Sequence, residues 1–196
     1  MIFAEDQARL LLVVHLVLGA ALVASSTHLV VWLWRYPRGD FARHRGARRF
    51  ALITASLFVA NFLVGLTIYP VYKVRVRVEY LDNPTAIARD ADNRATVRAL
   101  IDERRGSPIA ATPPADPDAL PMHALARWFD VKEHAIALGL VLSLACAIIL
   151  CAWEPRRDGD AIATAVFGFA LFAAATTWFA ALVGTLVTSY RSIGSL

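Results

Sequence analysis

The side chains best suited to binding a metal or a cofactor are those of the five histidines: His15, His28, His44, His123 and His134. His15 lies seven residues inside the first apolar stretch, and His134 lies six residues beyond Trp128, at the entrance of the third. At the rise of an α-helix, both lie about 10 Å from the same end of their helices. Imidazole is a common axial ligand of haem iron. The pair His15 and His134 therefore predicts haem b held between two helices near the outer face.

The neighbours of this pair suit a haem. Gly19 lies one turn beyond His15 and leaves room for a flat macrocycle. Four basic side chains are expected near the haem propionates, because cations pair strongly with carboxylates: Lys73, Arg75, Arg77 and Lys132. The predicted cofactor-binding residues are therefore His15, His134, Arg75 and Arg77, with His15 and His134 as the iron ligands.

Two other roles for these histidines remain open. In a structural role, each imidazole bonds a carbonyl or hydroxyl group of a neighbouring helix, and the two arginines pair with Glu133, Asp130 or lipid phosphate. In a metal-binding role, an ion is held by a set of nitrogen and oxygen ligands that includes His123, Glu133, His134 and His15.

The other polar residues of the apolar stretches give separate expectations. His28 lies 13 residues beyond His15, about 19.5 Å along a helix and turned by about 140°. No second histidine accompanies it in the other spans, so we expect no second haem there. His28 is left for a quinone site, a bond within the bundle or a site shared with another subunit. His44, among loop arginines, is expected to be solvated, and Asn61 to bond a neighbouring helix.

The apolar stretches are the elements that must position these residues. The first has no acidic or basic residue between Arg9 and Arg35, which is long enough to cross a hydrocarbon layer of about 30 Å. The pattern predicts an all-α integral membrane protein, a four-transmembrane-helix bundle with an extracytoplasmic segment between helices 2 and 3. The single membrane domain, 1–196, has spans at about 8–34, 50–69, 128–153 and 161–190, and an outer segment at 71–127.

Arginine placement predicts the orientation. The loop Arg35–Arg49 holds six arginines and one acidic residue, and a second short loop holds Arg156 and Arg157. Short arginine-rich loops stay in the cytoplasm. We therefore expect a multi-pass protein of the bacterial inner membrane with both termini extracytoplasmic. The acidic start and long first span are not those of a cleaved signal peptide.

The start of the outer segment allows two secondary structures. The alternation of apolar and charged residues in Val71–Tyr80 predicts an extended strand, and a helical continuation of span 2 is the alternative. Pro70 is expected to end or kink span 2. Asn83 is expected to cap a helix over Pro84–Arg105, and Ser107–Pro121, with five prolines, to form a loop. We expect the segment to dock over the outer mouth of the bundle.

Composition and motifs exclude several functions. The formal net charge is +4, but the arginines cluster where topology explains them, so no nucleic-acid partner is expected. Cys146 and Cys151, five residues apart, point in directions about 140° apart on a helix and are not expected to form a disulfide. The chain contains no phosphate-binding loop, dinucleotide fingerprint, nucleophile elbow or zinc-protease motif.

The four spans resemble the architecture of small four-helix b-type cytochromes and of the membrane anchors of quinone-linked respiratory enzymes. The resemblance covers the spans and includes no sequence signature. It implies an electron-transfer protein or subunit that binds haem b and exchanges electrons with quinone or a periplasmic partner, in contact with the lipid bilayer and other membrane subunits. The alternative is a non-catalytic accessory subunit of a larger respiratory-type membrane complex, suggested by the small residues of span 4, among them Gly168, Ala173, Ala180 and Gly184.

Overall fold

The described part of the chain is entirely helical. A computed structural model describes residues 5–106 and 122–190. Its α-helices are α1 Ala8–Leu33, α2 His44–Val71, α3 Pro84–Arg105, α4 Met122–Ala152, α5 Pro155–Asp158 and α6 Ala163–Tyr190. Short 3₁₀ turns occupy Glu5–Gln7 and Tyr36–Arg38, and a π-helix, Tyr72–Leu81, continues α2.

Four helices are long and apolar enough to cross a membrane, which confirms the predicted number of such segments. They cover Ala8–Arg38, His44–Leu81, Ala126–Ala152 and Ala163–Ser189. The second begins earlier than predicted, because α2 starts at His44 and not near residue 50. Arg45, Arg48 and Arg49, assigned to a loop by the sequence, therefore lie on the first turns of α2. Arginine is a good helix former, so the helix extends beyond the apolar stretch that revealed it.

The four long helices pack in a ring in which α1 and α4 each lie between α2 and α6. Their buried residues form three layers. The layer that we call the arginine end includes Leu33, Tyr36, Ala47, Leu150 and Trp153. The middle layer contains Leu22, Phe58 and Ala173. The layer that we call the terminal end, where the chain enters α1 and leaves α6, includes Ala8, Val71, Val76, Ala126 and Val183.

The strand predicted over Val71–Tyr80 is wrong, and the helical alternative is correct. In the π-helix, Tyr72, Val76 and Tyr80 are buried while Val78 is 58% exposed. This burial repeats every four residues, which is the spacing of one helical face and not of a strand. A helix satisfies its backbone groups within one segment, whereas a lone strand beside the bundle has no partner.

Pro70 does not end span 2, which was one of the two effects predicted for it, the other being a kink. It lies inside α2, and the π-helix begins two residues later at Tyr72. Proline has no backbone N–H and disturbs the regular hydrogen bonding of the preceding turn. A wider helical turn is one way in which a chain accommodates such a disturbance and continues.

The helix predicted over Pro84–Arg105 is present as α3. The Asn83 side chain accepts hydrogen bonds from the backbone N–H groups of Thr85 and Ala86, at 3.1 and 3.2 Å. Gly106 ends the helix at φ +66°, a conformation that favours glycine. α3 packs on the π-helix, and Val97 is 54% exposed.

The docking prediction for the outer segment is therefore only partly correct. The π-helix packs in the core of the terminal end, but it does so as a continuation of α2 and not as a cover over the bundle. The loop predicted over 107–121 lies outside the described residues.

Small residues of α6 allow close helix approach, as expected, but they do so inside the bundle. Ala170, Ala173 and Ala174 are buried. A Cβ placed on Gly139 of α4 would lie 2.0 Å from Thr176 Oγ1, so α4 and α6 touch directly at this point. Part of the small-residue face that suggested contact with another subunit is thus used within this chain, whereas Gly168 remains exposed.

Candidate functional site at the terminal end

His15 lies between α1 and α2. A Cβ placed on Gly65 of α2 would lie 3.2 Å from His15 Cε1. The imidazole also faces the backbone of Asn61. Its Nδ1 atom is buried and has no hydrogen-bond partner, which is uncommon for a polar atom removed from water.

Asn61 adds a second unsatisfied atom on α2. Its Oδ1 atom is buried and has no hydrogen-bond partner. Its Nδ2 atom lies 3.7 Å from the position that a Cβ on Gly19 of α1 would occupy. The hydrogen bond to a neighbouring helix expected for Asn61 is therefore not made by its carbonyl oxygen. A buried amide oxygen can only accept, so it lacks a donor.

Lys132 brings a cation between α4 and α6. Its Nζ atom lies 3.8 Å from the Cβ position of Gly184 on α6 and 4.2 Å from the centre of the Phe129 ring. Lys132 is within electrostatic range of His15 and of Glu133. Within the described residues, no carboxylate forms an ion pair with it at 4.0 Å or less. Ionisable side chains inside apolar helices are costly and commonly functional.

Three polar side chains of this end lie beside glycines: His15 of α1, Asn61 of α2 and Lys132 of α4. We call the first two, which lie between α1 and α2, the polar niche. Each of the three lies opposite a glycine of another helix, in the pairs His15–Gly65, Asn61–Gly19 and Lys132–Gly184. A missing Cβ lets the helix backbones approach and leaves space for a polar side chain. The sequence predicted free space beside Gly19 for a cofactor. In the structure, the Asn61 amide nitrogen lies 3.7 Å from the Cβ position of Gly19.

A charged pair joins the π-helix to α4 at the terminal end. Arg77 of the π-helix forms a bidentate ion pair with Asp130 of α4. Nη2 donates to Oδ2 at 3.1 Å, and Nη1 donates to Oδ1. Arg77 also donates to Asp82 at 3.4 Å, and Arg75 donates to Glu79 at 3.0 Å. The pairing of Arg77 with Asp130 is one of the partners that the structural role assigned to it.

An aromatic stack joins this pair to the terminal core. The ring of Tyr72 stacks on that of Phe129 with their centres 3.7 Å apart. The Tyr72 hydroxyl group is buried and has no hydrogen-bond partner. The terminal end thus holds unsatisfied polar atoms on α1, α2 and the π-helix.

His134 faces outward from α4. Its imidazole is exposed, and its Nδ1 atom hydrogen bonds with the backbone carbonyl of Asp130 at 2.8 Å. No hydrogen bond or ring contact joins it to His15 within the described residues. Haem iron would lie between the two imidazoles, so the lack of a direct contact does not test their joint ligation, which stays a prediction.

The described residues contain no cluster of side chains that supports the metal-binding role. No group of three or more His, Cys, Asp or Glu side chains with suitable geometry occurs there. The side chain of His123, a member of the predicted ligand set, lies outside the described residues.

The remaining histidines lie at the arginine end, where bonds within the bundle explain them. His28 Nε2 accepts a hydrogen bond from Trp32 Nε1 at 2.5 Å, and its ring centre lies 4.6 Å from that of Phe50. His44 is not simply solvated as expected. It is half-buried and hydrogen bonds through Nδ1 with the Tyr36 hydroxyl group at 3.1 Å. His44 packs against the aromatic residues of this end, although its arginine neighbours in the sequence had suggested a solvated position.

Sequence reasoning placed Lys132 just inside the interface as a propionate partner and did not predict its contact with Gly184 of α6. The signal was present, because a lysine four residues beyond an interfacial tryptophan already lies within the apolar span. Comparisons with family models, with curated proteins and with solved structures gave no match.

Proposed function

We propose that this protein is a multi-pass protein of the bacterial inner membrane in which the four long helices cross the bilayer. The length and apolar composition of these helices support the proposal. The arginines of Arg35–Arg49 and of α5 lie at one end of the bundle, which supports a cytoplasmic arginine end. The terminal end, both chain termini and α3 then lie outside the cytoplasm.

Within that membrane, we propose that the protein is a small electron-transfer protein or subunit that holds haem b through His134 and exchanges electrons with quinone. The observation that carries this proposal is the hydrogen bond between His134 Nδ1 and the Asp130 carbonyl. An Nδ1–H group that donates to a carbonyl leaves Nε2 as a free ligand atom. Ligating histidines are commonly oriented by such a bond.

The donor set fits an iron ligand on the outer surface of α4. Haem, when bound, would supply a one-electron redox centre, and His134 would hold its iron. A second imidazole from another subunit would complete the pair, because His15 is turned into the bundle against Gly65. This arrangement keeps His15 free for the polar niche.

The spectrum of the purified protein tests the proposal. Protein extracted from haem-replete cells is expected to be red, with a Soret band that sharpens and shifts on reduction. His134→Ala should lose the haem, because it removes the iron ligand. His28→Ala is the matched control, since it removes an imidazole at the arginine end, and it should stay red.

Two results would count against this function. Colourless preparations of the protein, both alone and with its co-purifying subunits, would contradict haem binding. Loss of haem in His15→Ala, in protein that stays folded, would instead restore His15 as the second ligand within one chain.

The second candidate is a non-catalytic accessory subunit of a larger membrane complex. It is favoured by the setting of His134, an exposed imidazole among the exposed apolar residues Val131, Leu138 and Val141. An imidazole facing acyl chains is costly, so a protein surface is expected to cover it. Larger redox subunits that co-purify, and remain bound to colourless His134→Ala, would support this candidate.

A further inference from the structure

Helix α3 carries an apolar patch that no side chain of the described part of the chain covers. Its members, Val97, Leu100 and Ile101, are 54%, 54% and 38% exposed. α3 is not one of the four helices apolar enough to cross a membrane, so its exposed apolar side chains are not explained by a transmembrane position. A group of large apolar side chains exposed on an otherwise polar helix indicates a contact surface.

The face of α3 that carries the patch packs against protein at the other end of the helix. Ala86 and Ile87 pack on the buried residues of the terminal end. Leu100 and Ile101 follow them by 14 residues, close to four helical turns, so both pairs lie on one face about 21 Å apart. The face that contacts the bundle at the start of α3 therefore continues to a place where the bundle no longer covers it.

The start of α3 lies at the end of an apolar segment. The second of the four long apolar segments ends at Leu81, and α3 begins at Pro84. If that segment crosses the bilayer, the first turn of α3 lies in the headgroup region. A helix of low overall hydrophobicity lies along this region when it has an apolar face and basic residues.

The last four residues of α3 are all charged, and the two signs lie on different sides of the helix. Arg104 and Arg105 are exposed and lie about 20° and 80° around the helix axis from Val97. Asp102 and Glu103 lie about 140° and 120° from it. The side that carries the patch is therefore positively charged. An arginine extends its guanidinium to a phosphate group while its aliphatic stem covers apolar surface.

We propose that α3 lies on the bilayer surface beside the terminal end, with the patch at the acyl boundary and Arg104 and Arg105 on anionic phospholipid headgroups. This inference rests on the proposed insertion of the four long helices. The bilayer is the partner that these observations favour, because α3 begins where a span ends and its apolar side is basic. Another subunit and the segment 107–121 are the competing occupants of the patch.

Spin labels on single cysteines test where the patch lies. Val97→Cys and Ala99→Cys are made in full-length protein whose two cysteines are replaced by alanine, and the labelled proteins are placed in phosphatidylglycerol nanodiscs. Both positions are exposed in the protein, on sides of α3 about 160° apart. Oxygen concentrates in lipid and a nickel chelate in water. The oxygen-to-nickel accessibility ratio should therefore be higher at residue 97 than at residue 99.

The charge of α3 is tested with two double substitutions. Arg104→Gln with Arg105→Gln should lower the ratio of lipid-bound to free α3, measured from the spectrum of the Val97→Cys label, about thirtyfold in phosphatidylglycerol. Nanodiscs of neutral phosphatidylcholine should lower it as well. Arg156→Gln with Arg157→Gln is the matched control. It removes the same charge from α5 at the arginine end and should leave the ratio unchanged.

Three results would overturn the inference. Equal accessibility ratios at residues 97 and 99 would place the patch in water. Protection of the label at residue 97 from both reagents would show that a protein segment covers the patch. A bound fraction that ignores both lipid charge and the loss of Arg104 and Arg105 would refute headgroup binding.

A label on α4 separates this inference from membrane insertion itself. Leu138 is 48% exposed on one of the four long helices. A Leu138→Cys label in water would refute the insertion of these helices. A Leu138→Cys label in lipid, together with a Val97→Cys label in water, would refute the placement of α3 alone.

Discussion

The two ends of the bundle treat their polar side chains in opposite ways. At the arginine end, the polar atoms of the buried aromatic residues have partners within the chain. Tyr36 hydrogen bonds with His44 at 3.1 Å, and Trp153 donates to the Gly159 carbonyl at 3.0 Å. At the terminal end, His15 and Asn61 keep buried atoms without partners.

This difference leads us to expect different responses to substitution at the two ends. Satisfied aromatic contacts stabilise a helix connection and contain no group that awaits a ligand. Unsatisfied polar atoms reduce stability, and a protein commonly retains such local conflicts where function requires them. The arginine end is therefore expected to respond to substitution through stability, and the terminal end through binding.

The largest expected effect is that of Gly46→Ala at the arginine end. A Cβ on Gly46 would lie 1.8 Å from Trp32 Cζ3, so the rigid indole must move and its bond with His28 must break. The expected loss of unfolding free energy is about 1–3 kcal/mol, typical of overpacking. Denaturant titration in mixed micelles measures it.

Two other glycine-to-alanine substitutions serve as comparisons for this loss of stability. Gly168→Ala is expected to have almost no effect on stability, because no atom lies within 4 Å of the added group. Gly65→Ala at the terminal end should cost less than Gly46→Ala, because the contact with His15 is 3.2 Å and needs only a small shift. Equal costs for Gly46→Ala and Gly65→Ala would show that the two ends are packed alike.

A smaller effect is expected for the ion pairs, whose coupling free energies should differ between the two ends. Arg77 and Asp130 have side chains that are 27% and 39% exposed, whereas those of Arg35 and Asp40 are 75% and 42% exposed. In double-mutant cycles with Arg→Gln and Asp→Asn, the Arg77–Asp130 coupling is expected to be about 1 kcal/mol and the Arg35–Asp40 coupling near zero. Similar couplings in both cycles would contradict a difference in solvent screening.

The smallest expected effect is a pH dependence at the arginine end. The Ala42 backbone N–H and the Arg35 guanidinium hold the pKa of Asp40 below its usual value. A lowered pKa means that the ionised carboxylate stabilises the folded state. This contribution is present above the pKa of the unfolded carboxyl group, about 3.9, and is lost as the pH falls through the lowered pKa.

The comparison with Asp40→Asn measures this contribution. Thermal melts between pH 7 and pH 3 should show the wild-type advantage over Asp40→Asn shrinking in the acid part of the range. An advantage that stays constant down to pH 3 would show that the Asp40 carboxylate does not contribute to folding through its charge.

The sequence by itself determined the helical segments and several of their ends. The charge-free stretch from Arg9 to Arg35 predicted α1 because only a long apolar helix accommodates such composition. Asn83 and Gly106 predicted the ends of α3 because capping and positive φ are local properties of those residues. The same local reasoning failed in Tyr72–Leu81, where packing against the terminal core selects a helix over the alternation of side chains.

Only the tertiary structure decided which side chains meet. The helical rise is fixed, so sequence position gives the depth of His15 and His134 along their helices. The rotation of each helix about its axis depends on how all four helices pack together, and it turns His15 toward Gly65 and His134 outward. That rotation also turns Lys132 toward Gly184 of α6, where the missing Cβ leaves room for its side chain.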